Sequence, residues 1–347
     1  MEILQNSEIN KFIKGLGTTR FSYHFTEEFI EFTEKVLKKN YLLFYCKTSD
    51  AIMPVSCYTV KTFRLLQIMF PPVTLSGERL SSSDEKIFLN DFITLVKKEK
   101  AGIRVIQSFS YCVFNAVPDD SAFCPFGTYV INLENSTEDE IFSRMHPKHR
   151  NVIRNAAKEG VEIKWGIETL KDFYALYRST MERASMYCEP IEYFQAMTTY
   201  LKNMILCGTV YWQGKSQGAV LIPYTDYGAF YLYGASAAKV EITGSMNLLH
   251  WEAIRLLKTK GVKRYDFAGT RLSNVSGTKL EGIQKFKMRF GGALTEGSLW
   301  KMDLEPMACR IFDTLLRINR IIKGGEKYED IIDEERRKIT LPVIHTP

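Results

Sequence analysis

The stretch from Tyr231 to Gly292 contains YLYGAS (231–236), NLLHWEAIRLLKTKG (247–261), KRYDFAG (263–269) and KFKMRFGG (285–292). The first piece reads as a strand ending in Tyr-Gly. The second places Leu249, Ala253, Leu256 and Leu257 at helical spacing, has its cap near Thr243 and stops at Gly261. The third is a short strand carrying Asp266. In the fourth, Lys287 stands between Phe286 and Phe290. A lysine held in a cleft in such a setting can bring positive charge to a reacting oxygen or phosphate. The alternative is a surface lysine on a strand whose neighbours Phe286 and Met288 do the packing.

Similar units extend on both sides. Apolar periodicity predicts helices over 26–39, 83–98, 136–160 (with Pro147 opening a second piece), 170–187, 191–201 and 307–322. Strands are predicted at 41–46, 58–70, 103–107, 111–114, 129–133, 161–165, 209–212, 218–223, 229–233 and 264–267. The Pro/Asp/Gly-rich piece 117–128 reads as a loop, and the charged tail beyond Gly324-Gly325 as loosely held. Helix pairs lead into antiparallel strands and then a helix–strand unit, twice over. Two related units packed together, in an α+β fold, account for this better than one doubly wound sheet.

The 347 residues are 45% hydrophobic and 25% charged, a normal balance for a globular chain with a full core. No apolar run approaches the ~20 residues needed to span a bilayer, and MEILQNSEINKF lacks an apolar leader. The seven cysteines form no CxxC pair, which points to reduced thiols in a cytoplasmic protein. The five histidines show no ligand spacing, so no metal site is expected. A formal charge of +6 suits an anionic ligand but falls short of a dedicated nucleic-acid binder. The stripe Arg144, Lys148, Arg150, Arg154 and Lys158 runs at helical spacing, as an RNA-facing or a solvated face would.

The pieces MHPKHRNVIRNAAKEGVEI, YRSTMERASM, YLYGAS, LLHWEAIRLLKTKG, YDFAG and FKMRFGG follow one another in this order. Together they resemble the FemABX-like family, aminoacyltransferases that build peptidoglycan interpeptide bridges, over about residues 130–300. The resemblance implies two GNAT-like domains in tandem, with mostly antiparallel mixed sheets flanked by helices. The first would span 1–135, with about 303–347 returning to it, and the second 136–302. It also implies an aminoacyl-tRNA donor, a nucleotide- or lipid-linked muropeptide acceptor, no separate cofactor and at most peripheral contact with the inner membrane face. By the same resemblance, Phe286-Lys287 matches a Phe-Lys pair at the reaction centre, Arg183 an arginine that binds the precursor's diphosphate, and Tyr233 a tyrosine of the same cleft. Arg183 is followed by Ala-Ser-Met where the family often has Arg-x-x-Phe. For the basic residue of the first domain, Lys14 and Arg20 are the candidates.

Amide formation from an aminoacyl ester needs a neutral amine, a stabilised oxyanion and a protonated leaving oxygen, but no nucleophilic side chain. The chain has no GxSxG elbow. Lys287 would stabilise developing negative charge, and Asp266 would hold a backbone amide or Lys287, or activate the amine. Arg183 would clamp a diphosphate, or pair with Ser179 one turn away. Two rivals remain. One is a GNAT-type transferase using acetyl-CoA, although no clean Arg/Gln-x-x-Gly-x-Gly/Ala loop is present. The other is a non-catalytic module that binds nucleotide-sugars or a protein.

Overall fold

The computed structural model describes residues 1–5, 7–16, 20–273, 275, 277–322 and 329–340. In chain order the strands are β1 (Glu2–Gln5), β2 (Asn40–Cys46), β3 (Ala51–Val60), β4 (Phe63–Ile68), β5 (Val73–Thr74), β6 (Arg104–Ile106), β7 (Ala122–Asn132), β8 (Glu162–Trp165), β9 (Ile205–Trp212), β10 (Lys215–Thr225), β11 (Gly228–Phe230), β12 (Tyr233–Ser236), β13 (Arg264–Asp266), β14 (Thr270–Arg271) and β15 (Ala293–Asp303). The helices are α1 (Ser7–Leu16), α2 (Glu27–Glu31, running on as a π-turn Phe32–Val36), α3 (Ser82–Lys98), α4 (Glu138–Arg144), α5 (Pro147–Lys158), α6 (Leu170–Ala184), α7 (Ile191–Leu201), α8 (Ser245–Thr259), α9 (Lys279–Met288), α10 (Pro306–Ile322) and α11 (Ile331–Thr340).

One path of strands crosses the molecule in the order β1-β2-β3-β4-β6-β15-β7-β13-β11-β10-β9-β8. Its pairings are antiparallel except β4 with β6 and β11 with β13. β15 joins the two halves. Its end, Met302–Asp303, pairs with Val105 and Arg104, and its start pairs along β7 from Ala293↔Val130 to Lys301↔Ala122. β7 lies before residue 135, yet all its strand partners (β13, β14 and β15) come from the second half of the chain.

Three packed layers follow. α3 buries Phe88, Phe92 and Val96 against Phe44 and Trp300. α5 and α8 bury Ile153, Leu249 and Ile254 against Tyr265 and Phe290. Between them, Tyr23, Phe29 and Phe70 from the first half meet Phe173, Phe194 and Phe230 from the second. Fully burying one such ring is worth about 1.5–3 kcal/mol, so this aromatic seam carries a large share of the contact between the halves.

Several expectations are corrected. The strand expected at 111–114 is absent: a turn over 109–112, Cys112 N–H bonding Phe109 O, is followed only by a bridge from Phe114 to Ser298. β7 begins at Ala122, inside the expected loop. Pro125 is tolerated because only β15 pairs there. Residues 51–57 belong to β3, a strand hidden by Pro54 and by burial of both faces. The cap expected near Thr243 is Gly244, with α8 beginning at Ser245; Gly244 has φ 90°, and a Cβ there would lie 2.5 Å from Val152 O. Lys287 lies on a helix, α9, not on a strand. The tail is not loose at 331–338: Ile332 and Glu335 are fully buried as α11 packs on β7 and β15. Gly324-Gly325 itself lies outside the described residues. α10 sets Cys309 and Phe312 against Leu65 and Ile103.

Candidate active site

Lys287 sits in the last turn of α9, with the next turn anchored by fully buried Phe290. Its Nζ donates to Ala268 O at 2.6 Å and Gly269 O at 2.8 Å. Those carbonyls face it because the chain leaves β13 through a left-handed turn at Ala268 (φ 54°). Gly269 permits the turn: a Cβ there would lie 2.2 Å from Ser110 O. Asp266 braces the same turn. Its Oδ1 accepts from Ala268 N–H at 2.7 Å and from the Thr128 hydroxyl. Of its candidate roles, the structure places Asp266 on a backbone amide rather than in a hydrogen bond to Lys287.

Burial disfavours both charges. The Asp266 carboxyl is pushed above the usual carboxylate range by burial, which its hydrogen bonds with Thr128 and Ala268 only partly offset. Lys287 is brought down to about 8 by loss of solvent, which the field of Asp266 only partly offsets. Near neutral pH the lysine is therefore a cation held by two neutral carbonyls, with one of its three N–H bonds left over.

Ala268 also lines a cavity of about 220 Å³ between the halves, together with Tyr23, Phe29, Tyr111, Tyr193 and Tyr233. Tyr233 opens β12, and its hydroxyl lies 3.1 Å from that of Tyr193 on α7. The Tyr23 and Tyr111 hydroxyls lie 3.3 Å apart. Behind them His24 is fully buried, its Nε2 2.9 Å from the Tyr111 hydroxyl and its Nδ1 2.7 Å from Ser22 Oγ. Burial holds His24 well below the usual imidazole range and Tyr111 well above the usual phenol range, so both stay neutral.

The other predicted residues lie apart from this centre. Arg183 is exposed at the end of α6. It donates to Ser179 Oγ at 2.8 Å and to Ser236 O at 2.9 Å, tying α6 to the far end of β12. The Phe286 ring packs 5.2 Å from Phe290 and 5.5 Å from His250, and its carbonyl lies 3.2 Å from His149 Nε2. Phe286 thus fixes α9 in the core instead of facing the cavity. Arg20 lines a second groove of about 600 Å³ with Lys263, Arg264 and Glu78, whereas Lys14 pairs at the surface with Glu27. In the basic stripe, Arg144 and Arg150 hold Ser136 and the Ser143 carbonyl, and Arg154 covers the Phe142 ring. Among the described residues no group of three or more His, Cys, Asp or Glu is placed to hold a metal, and no helix is long and apolar enough to cross a membrane.

The residues that sequence reasoning passed over are Tyr23, His24, Tyr111, Tyr193 and Ala268. The one local signal was the aromatic density of RFSYHFTEEFIEF at 20–32.

Two mixed, mostly antiparallel sheet units, joined through β15 and flanked by helices, define a tandem GNAT-like protein. Residues 92–207 match the model of the FemAB family. The crystal structure of FemX matches with a TM-score of 0.67 at 14% identity, over 90% of this chain and 99% of that one. The C-terminal (DUF2156) domain of a putative lysylphosphatidylglycerol synthetase from Agrobacterium fabrum matches with a TM-score of 0.53 at 11% identity, over 88% and 96%. No curated protein sequence matches the chain significantly. The likeness to the FemAB family thus covers residues 92–207, and the likeness to FemX is one of fold.

Proposed function

We propose that this chain is a cytoplasmic aminoacyltransferase of cell-wall synthesis. It joins an amino acid carried by an aminoacyl-tRNA to an amine of a nucleotide- or lipid-linked muropeptide. In the reaction the neutral amine attacks the ester carbonyl, a C–N bond forms and the C–O bond to the ribose breaks. The ribose oxygen leaves with a proton, and no cofactor beyond the two substrates is needed. The observation that carries the reading is the Lys287 ammonium, bonded only to neutral carbonyls, beside a cavity between the halves. A cation not neutralised by a carboxylate is suited to stabilise the oxyanion of the tetrahedral intermediate. Asp266 acts through the turn that presents Ala268 and Gly269, so it is a positioning residue.

Arg183 serves the acceptor in this reading and Tyr233 lines the substrate cleft, with Phe286 holding α9 in place. The division into 1–135 with 303–347, and 136–302, belongs to the same proposal, as does any peripheral contact with the inner membrane face. The test is transfer from charged tRNA to a UDP-linked muropeptide by the native chain and by Lys287→Ala. Loss of transfer in the variant is expected, and unchanged turnover would remove Lys287 from the mechanism. Turnover with acetyl-CoA and none with any charged tRNA would replace this reading with the acyl-CoA one.

A further inference from the structure

The cavity beside Ala268 differs in kind from the open groove at Arg20. None of the residues lining it carries a charge. Its phenols are engaged in pairs, Tyr23 with Tyr111 and Tyr193 with Tyr233. His24 grips Tyr111 from behind, and its ring lies against Phe70 with centroids 5.3 Å apart, so that wall is fixed in place. Glu189, whose field reaches Tyr193, is not part of the lining and shares its field with Lys39.

A charged guest would give up its hydration here without a counter-ion, at a cost that ring faces alone do not offset. An apolar guest meets carbon on most sides and gains by leaving water. The volume, about 220 Å³, equals about seven waters and lies below the roughly 300–1,000 Å³ of a whole-ligand site. It therefore suits one side chain rather than a complete substrate. One of its lining residues, Ala268, is the residue whose carbonyl binds the Lys287 ammonium, so a group seated against it lies within one peptide of that charge.

We propose that this cavity is the subsite for the side chain of the transferred acyl group, and that it selects an uncharged side chain of branched-aliphatic or aromatic size. The inference rests on the transfer reading above and adds the substrate class to it.

Two measurements test it. In calorimetric titrations of the full chain, p-cresol binds saturably at one site and n-butylammonium does not. Leu232→Trp, which fills the cavity, weakens p-cresol at least tenfold. If that variant fails to fold, Met197→Phe fills the same space from α7. Binding of n-butylammonium as tight as that of p-cresol, or p-cresol binding untouched by the folded variant, overturns the subsite. In transfer assays, tRNAs charged with leucine or phenylalanine give kcat/KM at least tenfold above those charged with lysine or aspartate, within the roughly 10–200-fold range a side-chain pocket supplies. Equal transfer of lysine or aspartate overturns the selection. A chain that transfers none of them breaks the transferase reading, while the titrations still decide what the cavity accepts.

Discussion

Arg271 and Lys287 stand at the two ends of one segment, Arg271 closing β14 and Lys287 in the last turn of α9, and they are held in opposite ways. The Arg271 guanidinium meets Glu335 at 2.5 Å and Glu334 at 2.8 Å, both on α11, and the Ser273 hydroxyl also donates to Glu335. Burial opposes ionisation of Glu335, but Ser273, Lys338 and Arg271 together bring its carboxyl below the ordinary value. Lys287 meets only carbonyls. The first arrangement neutralises its charge and fastens α11 over the sheet. The second leaves a unit charge available to a substrate. The kind of partner, more than the degree of burial, separates a structural cation from one suited to catalysis.

The sharpest break of that comparison is Lys287→Ala. Transfer should fall by about 10²–10³, or about 2.7–4 kcal/mol, the scale of one lost oxyanion donor, with the thermal midpoint nearly unchanged. A fall in stability that matched the fall in rate would make Lys287 structural as well. Glu335→Ala should do the reverse. It leaves Arg271 with Glu334 alone and removes the acceptor of Ser273, and should lower unfolding free energy by about 1.5–3 kcal/mol in urea titrations, while the folded fraction keeps its turnover per molecule. Loss of turnover in that folded fraction would show that α11 also sets the site.

The two cations should also respond to opposite ends of the pH scale. Lys287 must be protonated to act, so the transfer rate should decline above about 8 and fall about tenfold per unit beyond it. Glu334 is held down to about 2, chiefly by its hydrogen bond with Arg271. Its folded value is depressed, so its contribution is fully present above the ordinary glutamate range and is lost as pH falls from there towards about 2. Urea midpoints measured from pH 5 to pH 2, with and without Glu334→Gln, would read that loss directly. The smallest expected effect is that of Arg183→Ala. Its bonds are exposed and made to neutral groups, so stability should change by no more than about 0.5 kcal/mol. A raised KM for the muropeptide at unchanged kcat would mark Arg183 as a binding group.

Legibility varied with the range of the interactions. α7 was readable to the residue at Ile191–Leu201 because its apolar positions repeat at helical spacing. The β9–β10 hairpin was readable from Gly214 between two strand-like runs: Gln213 (φ 49°) and Gly214 (φ 75°) make the tight turn, closed by the pair Trp212↔Lys215. β3 and the start of β7 were obscured by proline, and α9 by an alternation of aromatic and basic residues that also fits a strand. Lys287 could be singled out, but its partners could not. They are two carbonyls whose direction depends on a left-handed alanine and on a glycine pressed against Ser110.

The amino-acid order by itself determined helices such as α3, α7 and α8 and the β9–β10 hairpin, since each rests on residues within a few positions of one another. Only the tertiary structure decided that β15 would join β6 to β7, that α11 would bury Glu335, and that Tyr23, Tyr111, Tyr193 and Tyr233 would enclose one cavity beside Ala268. Those contacts join segments far apart in the chain. Their free energy comes from apolar burial and hydrogen bonds between whole elements, and no local window of sequence contains both partners.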